Sequence, residues 1–198
     1  MSVEQKQHVR AFISIHLPVA IREKLQATQN ELAKAMSRES VRWTPFDQLH
    51  LTLEFLGNID GSKVRQLAFE LGVTGETFWP FTLTVESIGA FASIRNPRVL
   101  WTGIKGDVEA LLALQTNVRS VVCQYVAEEE TRAYRPHVTL GRVRPTNRRD
   151  LRKVSVALAS VTNRTFGSWR VDEFALMQSQ LSPQGSQHST LATFRLGG

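Results

Sequence analysis

The pattern His-x-Thr-Leu occurs twice in this 198-residue chain, at residues 50–53 and 137–140, and it constrains the fold more than any other feature. Side chains alternate between the two faces of a β-strand, so each copy puts an imidazole and a hydroxyl on one face and two aliphatic side chains on the other. One face of each strand can then pack into a core while the other carries out chemistry.

A strand-like segment that opens with arginine precedes each copy by a similar distance. Arg10 lies 40 positions before His50, and Arg98 lies 39 positions before His137. Each gap contains a helix-like stretch with apolar residues at three-to-four spacing: Ile21, Leu25, Leu32 and Met36 in the first, and Val108, Leu111, Leu112, Val118, Val122 and Tyr125 in the second. The sequence therefore predicts two strand-helix-strand units, related by a pseudo-twofold axis that would bring the two His-x-Thr ends together.

The rest of the pattern predicts an α+β chain without long linkers. A half-buried strand begins at Leu49, has Leu51, Leu53 and Phe55 on its apolar face, and ends at Gly57. The other expected elements are a helix over 60–71, strands over 81–85, 174–177 and 189–196, and a segment over 153–159 that fits either type.

The composition is that of an ordinary globular protein, with 42% hydrophobic residues. No apolar run approaches the roughly 20 residues needed to cross a bilayer, and the polar first seven residues lack the apolar core of a secretory signal. We therefore expect a cytoplasmic protein. The single cysteine, Cys123, excludes an internal disulfide and is expected to be a small buried apolar residue in the second helix.

The net charge of +6 and the pI near 10 indicate a polyanionic partner. Residues 1–99 carry 11 basic and 10 acidic side chains, whereas residues 100–198 carry 13 and 8. Arginine outnumbers lysine 18 to 6, and its planar guanidinium suits phosphate oxygens, although a solvated surface is the simpler explanation for any one arginine. The basic residues around the second motif are Arg132, Arg135, Arg142, Arg144, Arg148, Arg149, Arg152 and Lys153.

Two histidines, each with a threonine two residues on, fit the hydrolysis of a phosphodiester. The reaction needs a base to take a proton from water and an acid to protonate the leaving oxygen, and imidazole can fill either role near neutral pH. His50 and His137 would be this pair, while Thr52 and Thr139 would donate hydrogen bonds to the non-bridging oxygens. A strained cyclic 2′,3′-phosphate is a fitting substrate, and no metal ion or other cofactor is needed.

A zinc site and a purely structural role are the alternatives for these histidines. Zinc sites normally collect three or four ligands, often at close spacing, but neither motif has a second histidine and Cys123 lies elsewhere. Glu54 shares a face with His50, yet nothing comparable accompanies His137. We therefore expect no metal. A structural role would be favoured for either histidine alone, but not for a pattern repeated with matching flanks.

These residues resemble a known family along nearly the whole chain. The segments Arg-Ala-Phe-Ile-Ser-Ile-His-Leu-Pro at 10–18, Leu-His-Leu-Thr-Leu-Glu-Phe-Leu-Gly at 49–57 and Arg-Pro-His-Val-Thr-Leu-Gly-Arg at 135–142 are similar to signatures of the two-histidine (2H) phosphoesterases. Within them, the chain looks like the bacterial and archaeal RNA 2′,3′-cyclic phosphodiesterases, historically called 2′-5′ RNA ligases.

The resemblance implies an α+β fold in which residues 1–198 form a single domain of two pseudo-symmetric lobes. Two antiparallel sheets, flanked by helices, would enclose a central cleft. The implied partners are RNA ends or nucleotides that carry a 2′,3′-cyclic phosphate, and we expect a monomer.

The resemblance also implies the reaction and its residues. A 2′,3′-cyclic phosphate would be hydrolysed to a 2′-phosphomonoester, with the 3′ oxygen as the leaving group. By resemblance, His50 is the general acid and His137 the general base, although the half-sites are nearly interchangeable in sequence. Thr52 and Thr139 would bind the phosphate, and Arg142 would be a further phosphate contact.

Two features depart from simple expectation. Strict alternation puts Arg142 on the face opposite His137, so it would reach the cleft only through a bulge, for which Gly141 is a plausible position. Near the C-terminus, Gln178 and His188 stand where the family more often has glutamate and tyrosine, so a substrate contact by those family side chains does not transfer directly.

Two other functions fit the same residues. A ligase would join 2′,3′-cyclic and 5′-hydroxyl RNA ends through a 2′-5′ linkage, with the hydroxyl in place of water. An RNA-binding protein without turnover would show salt-sensitive binding that does not depend on the histidines.

Overall fold

The computed structural model describes residues 8–36, 40–126, 132–144, 148–182 and 185–197. Within these ranges the regular elements are β1 (His8–His16), α1 (Val19–Ala35), β2 (Val41–Trp43), β3 (His50–Asp60), α2 (Val64–Glu76), β4 (Phe81–Phe91), β5 (Val99–Gly106), α3 (Val108–Val122), β6 (His137–Val143), α4 (Arg148–Ala159), β7 (Thr165–Val171), β8 (Glu173–Ser182) and β9 (Gly185–Arg195). The α+β class predicted from the sequence is confirmed.

The strands form one continuous antiparallel path in the order β7-β4-β5-β6-β3-β1-β8-β9, with β2 added beside β6. The expectation of two separate sheets is therefore corrected. The reason is that the two signature strands pair with each other directly, although only at Leu51 and Val138. That single pair joins a first half (β3, β1, β8 and β9) to a second half (β6, β5, β4 and β7).

Part of each half is covered by a helix that lies between two strands of the other half in the sequence. The helix α1 follows β1 of the first half but packs on α4 and β7. Conversely, α3 follows β5 of the second half but packs on α2 and β3, as well as on β4. Each of these crossover helices also contributes apolar side chains to the main core: Ile21, Leu25 and Leu32 from α1, and Leu111, Leu114, Val118 and Val122 from α3.

Buried glutamines tie the crossover helices to the signature strands. Gln29 of α1, which is 2% exposed, donates its side-chain amide to the backbone carbonyl of Leu140 at 2.8 Å. Gln115 of α3 donates to the Glu54 carboxylate at 2.9 Å. Since a buried polar group without a partner costs about 1–3 kcal/mol, these bonds fix each helix at one position on its strand.

The observed elements extend beyond the predicted ones in several places. The strand expected to end at Gly57 continues to Asp60, because Gly57 adopts φ +62° beside a shift in the β1–β3 register. The undecided segment over 153–159 is part of α4. Cys123 is exposed just after α3, so the expectation of a buried cysteine was wrong. None of the described helices is long and apolar enough to cross a membrane.

Candidate active site

The junction of β3 and β6 brings the two His-x-Thr motifs onto one face. Leu51 and Val138, the residues that follow the histidines, are paired and fully buried on the core side. Continuing this antiparallel register by one position each way sets His50 across from Thr139 and Thr52 across from His137. The four polar side chains of the predicted site therefore share the face opposite the core.

Both imidazoles are oriented by the same contact. Nδ1 of His50 lies 2.7 Å from the backbone carbonyl of Gln48, and Nδ1 of His137 lies 2.6 Å from that of Arg135. A carbonyl oxygen can only accept, so in each ring Nδ1 carries the proton and donates it. In the neutral ring Nε2 is then the unprotonated nitrogen, which can accept a proton or, once protonated, release it.

His50 packs in an aromatic cluster on the first half. Its ring stacks on Phe12 at 4.9 Å between centroids and meets the ring of His188 edge-on at 5.6 Å. The pKa of His50 is lowered to about 4, chiefly by burial and in smaller part by the charges of His188, His16 and His137, which together outweigh the opposing hydrogen bond to the Gln48 carbonyl. In the free protein His50 is therefore neutral at pH 7.

The low pKa of His50 predicts a specific loss of stability in acid. The unfolded chain binds a proton at its ordinary pKa of 6.5, whereas the folded protein does so only near pH 4. The unfolded state thus holds more protons in this window, so stability falls as the pH falls from 6.5 to 4. The His50 share reaches about 3 kcal/mol by pH 4.

Urea unfolding gives the free energy of unfolding of the wild type and of His50→Gln between pH 7 and pH 4. The difference between the two proteins in how steeply this free energy falls with pH is the His50 share. Proton NMR of the His50 ring should give a midpoint near 4. A midpoint near the ordinary histidine value, with parallel stability curves for the two proteins, would contradict the assignment.

His137 has a parallel but more open environment on the second half. Its ring meets Phe91 edge-on at 4.8 Å between centroids. Burial lowers its pKa, the hydrogen bond to the Arg135 carbonyl opposes this, and the charge of Arg142 lowers it further. Arg142 is thus close enough to His137 to act on its protonation.

Arg142 reaches the His137 face through a register shift in β6. Leu100 pairs with Gly141 and Trp101 with Thr139, so Leu140 is passed over. Both Leu140 and Gly141 are buried, and Arg142 beyond them is exposed. The expected bulge is present, but at Leu140, one residue before Gly141, and Arg142 lines the same cleft as Thr139.

The first half repeats this shift, which the sequence analysis missed. Ser14 pairs with Thr52 and Ile13 with Glu54, so Leu53 is passed over. Glu54 is consequently buried at 8% exposure, while Phe55 is 66% exposed. The expectation that Phe55 lies on the apolar face, and that alternation continues through Glu54, was therefore wrong. Phe55 follows His50 by five positions, as Arg142 follows His137.

A cleft of about 510 Å³ opens beside the junction. Of the predicted site residues, Thr52, Thr139, His137 and Arg142 line it. His50 does not, because its ring is covered by Phe12 and His188. The other lining residues are Leu53, Glu54, Phe55, Phe91, Val99, Gln115, Arg119, Arg132, Ala133, Tyr134 and Arg135.

Tyr134 holds the backbone of the first motif from the second half. Its hydroxyl donates to the Thr52 carbonyl at 2.9 Å. Burial raises the pKa of Tyr134, and the charge of Glu54 raises it further, so the hydroxyl stays protonated and remains a donor. The bond fixes the Thr52 backbone against the segment that leads into His137.

The two C-terminal positions that depart from the family lie on neighbouring strands. Gln178 on β8 pairs with Ala11 and is half-buried. The His188 ring on β9 packs edge-on against Phe12 at 4.9 Å, as well as against His50. Burial lowers the pKa of His188, while the charge of Asp47 raises it. His188 thus occupies the His50 end of the site.

Several residues in and beside the cleft carry no strong signal in the sequence. Tyr134 could have been suspected because it lies three residues before His137. For Phe55 the signal is the duplication: if a bulge lets Arg142 reach the cleft, the same bulge in the first motif would turn Phe55 toward it. Phe91, Gln115 and His188 come from distant elements, and only the fold brings them here. Across the described ranges, no three side chains of histidine, cysteine, aspartate or glutamate are grouped as a metal ion would need. Metal independence stays a prediction, tested below.

Comparison with known proteins gives consistent matches. The LigT-like phosphoesterase family matches residues 15–101 and 105–186. The RNA 2′,3′-cyclic phosphodiesterase of Methanothermobacter thermautotrophicus is 31% identical, over 95% of this chain and 99% of that protein. Its counterpart in Escherichia coli is 29% identical over 94% and 96%.

The fold is also similar to that of solved structures. The crystal structure of E. coli LigT complexed with 3′-AMP superposes with a TM-score of 0.76 at 28% identity and covers 97% of this chain and 100% of that one. Sequence match, fold and paired His-x-Thr strands agree, and this chain belongs to the LigT-like phosphoesterase family.

Proposed function

We propose that this protein hydrolyses 2′,3′-cyclic phosphates of RNA ends or nucleotides to 2′-phosphomonoesters. The observation that carries the proposal is the β3–β6 register, in which each histidine faces the other motif's threonine. Relatives named RNA 2′,3′-cyclic phosphodiesterase and the nucleotide complex of E. coli LigT support the substrate class.

In this scheme, the cyclic phosphate lies across the junction between the two imidazoles. Nε2 of His137 takes a proton from water, whose oxygen bonds to phosphorus. The bond from phosphorus to the 3′ oxygen breaks, and His50 protonates that oxygen to leave a 3′ hydroxyl and a 2′ phosphate. Thr52 and Thr139 donate to the non-bridging oxygens, where charge concentrates in the transition state.

The acid role of His50 requires that substrate restore its proton. A phosphate charge about 4 Å from an imidazolium stabilises it by roughly 4 kcal/mol at an effective dielectric constant near 20, which corresponds to about three pKa units. Starting from a pKa of about 4, this suffices to bring the pKa of His50 back to the neutral range, so that the ring can hold a proton when substrate is bound. Arg142 beside His137 favours the neutral ring there, as a base requires.

The direct test is product analysis with 2′,3′-cyclic AMP as substrate. We expect 2′-AMP as the product, at a rate that EDTA does not change, because the scheme uses only side chains of the protein. Formation of 3′-AMP would contradict the choice of leaving oxygen, and loss of activity with EDTA that returns with a divalent metal would contradict the metal-free scheme.

Adding RNA with a 5′-hydroxyl end to the same assay tests the ligase alternative. Joining that outpaces hydrolysis would favour it, since the same site would then activate a hydroxyl in place of water. Binding of RNA without any turnover would favour a binding protein.

We further propose that the chain acts as a monomeric single domain of two pseudo-symmetric lobes. The strand orders β6-β5-β4-β7 and β3-β1-β8-β9, which run outward from the junction, support this correspondence. So do the matched helix pairs, α1 with α4 and α3 with α2. A cytoplasmic location stays a prediction.

A further inference from the structure

A second depression, of about 550 Å³, lies outside the cleft and is called the basic pocket here. It is lined by Arg95, Asn96, Arg148, Leu151, Arg152 and Ser155. The first two belong to the connection between β4 and β5, and the other four to α4. The Ser155 hydroxyl donates to the Ile94 carbonyl at 2.6 Å, which holds the helix against the connection.

The basic pocket carries a concentrated positive charge. Arg95, Arg148 and Arg152 are all exposed, and among the residues that the structure describes none of them makes an ion pair. Asp150, the acidic residue in the first turn of α4, is 3.5 Å from Lys153. Three guanidinium groups around one depression form a site for an anion with several oxygens.

The basic pocket lies next to the catalytic cleft along the chain and in space. Phe91 and Val99, which both line the cleft, flank the connection that carries Arg95. Four residues span at most about 14 Å, so the Arg95 backbone lies within that distance of the cleft wall. The connection is anchored to β6, because the Val143 N–H donates to the Arg98 carbonyl at 2.9 Å.

The geometry points to the basic pocket as a binding site for the phosphodiester backbone of an RNA chain whose cyclic end occupies the cleft. This inference rests on the proposed function. A 2′,3′-cyclic phosphate ends an RNA at its 3′ side, so the rest of the chain leaves the cleft in one direction only. Phosphates upstream of the end would then meet the arginines, which contact backbone without reading bases.

The test compares an RNA of about ten nucleotides that ends in a cyclic phosphate with 2′,3′-cyclic AMP. For Arg148→Glu/Arg152→Glu, we expect kcat/KM on the RNA to fall roughly tenfold at low salt and to stay unchanged on the mononucleotide. For the RNA substrate, the slope of log kcat/KM against log salt concentration should become shallower by about 1.4, which is about 0.7 for each of the two lost phosphate contacts. Glutamate at position 148, in the first turn of α4, is stabilising there, and position 152 is exposed, so α4 should remain folded.

Two further variants control for charge and for location. Arg95→Gln, on the other side of the basic pocket, should act on the RNA alone, as the double variant does. Lys63→Glu/Arg65→Glu makes the same change in net charge at two exposed positions at the start of α2 and should leave kcat/KM unchanged for both substrates. Equal rates for the RNA in the wild type and the α4 variant, or equal losses on both substrates, would overturn the inference.

Failure of the proposed function can be distinguished from failure of the basic pocket. If the wild type hydrolyses neither substrate, fluorescence anisotropy of the labelled RNA still decides the second question. Weaker and less salt-dependent binding by the α4 variant would support the basic pocket, and unchanged binding would overturn it.

Discussion

Replacing either signature histidine by alanine is expected to lower kcat for 2′,3′-cyclic AMP by about 10²–10⁴-fold, the usual contribution of a positioned general acid or base. In the proposed mechanism His50 and His137 act on the two ends of one displacement, so the double variant should lose less than the product of the single losses. Steady-state rates of the two single variants and of the double variant measure this directly.

The control for these variants is His8→Ala, which removes an exposed histidine at the start of β1 and should leave kcat unchanged. A His50→Ala/His137→Ala protein with wild-type activity would reject the site. Retention of full activity by only one of the single variants would reject the paired mechanism.

A substrate with sulfur in place of the bridging 3′ oxygen separates the acid from the base. Sulfur leaves without protonation, so the loss in the acid variant should largely disappear with this substrate, while the loss in the base variant should persist. We expect recovery for His50→Ala and none for His137→Ala. The opposite outcome would exchange the two roles.

Substitution of Thr52 or Thr139 by valine is expected to lower kcat by about 10²–10³-fold, as loss of one donor to a developing oxyanion does elsewhere. Valine keeps the shape and the strand preference of threonine, so the fold should be retained. Because the donated bond strengthens as charge develops, kcat should fall more than KM rises.

Thr193→Val, on the exposed surface of β9, is the matched control and should have no effect on either constant. Thermal unfolding of all three variants checks that the strands are intact. A loss confined to KM would show that the hydroxyls bind the ground state only, and a change below about threefold would remove them from the mechanism.

The sequence predicted the fold class and the two motif strands because a duplicated pattern constrains both at once. Period-two alternation placed Leu51 and Val138 in the core and their polar neighbours opposite, as observed. The same rule failed after Leu53, because a bulge in β3 reverses the faces of Glu54 and Phe55. Alternation carries no information about where a strand is irregular.

The joining of the strands into one sheet and the residues around His50 could not be predicted from the sequence, for a different reason. The pairing of β3 with β6 joins segments almost 90 residues apart, and His188 arrives from the end of the chain. Such contacts depend on the packing of whole elements rather than on local spacing. A substitution of tyrosine by histidine was visible at position 188, but its contact with His50 was not.

The exchange of crossover helices has an implication for how such a chain could originate. A peptide containing one strand-helix-strand unit would carry a helix whose apolar side fits another copy, and its own sheet would lack a cover. In a homodimer, each copy would cover the sheet of the other with its helix, and one histidine from each copy would lie at the junction between the two sheets. Gene fusion of that homodimer would place the two signature units in one chain, and later divergence would let one motif keep an arginine where the other has Phe55.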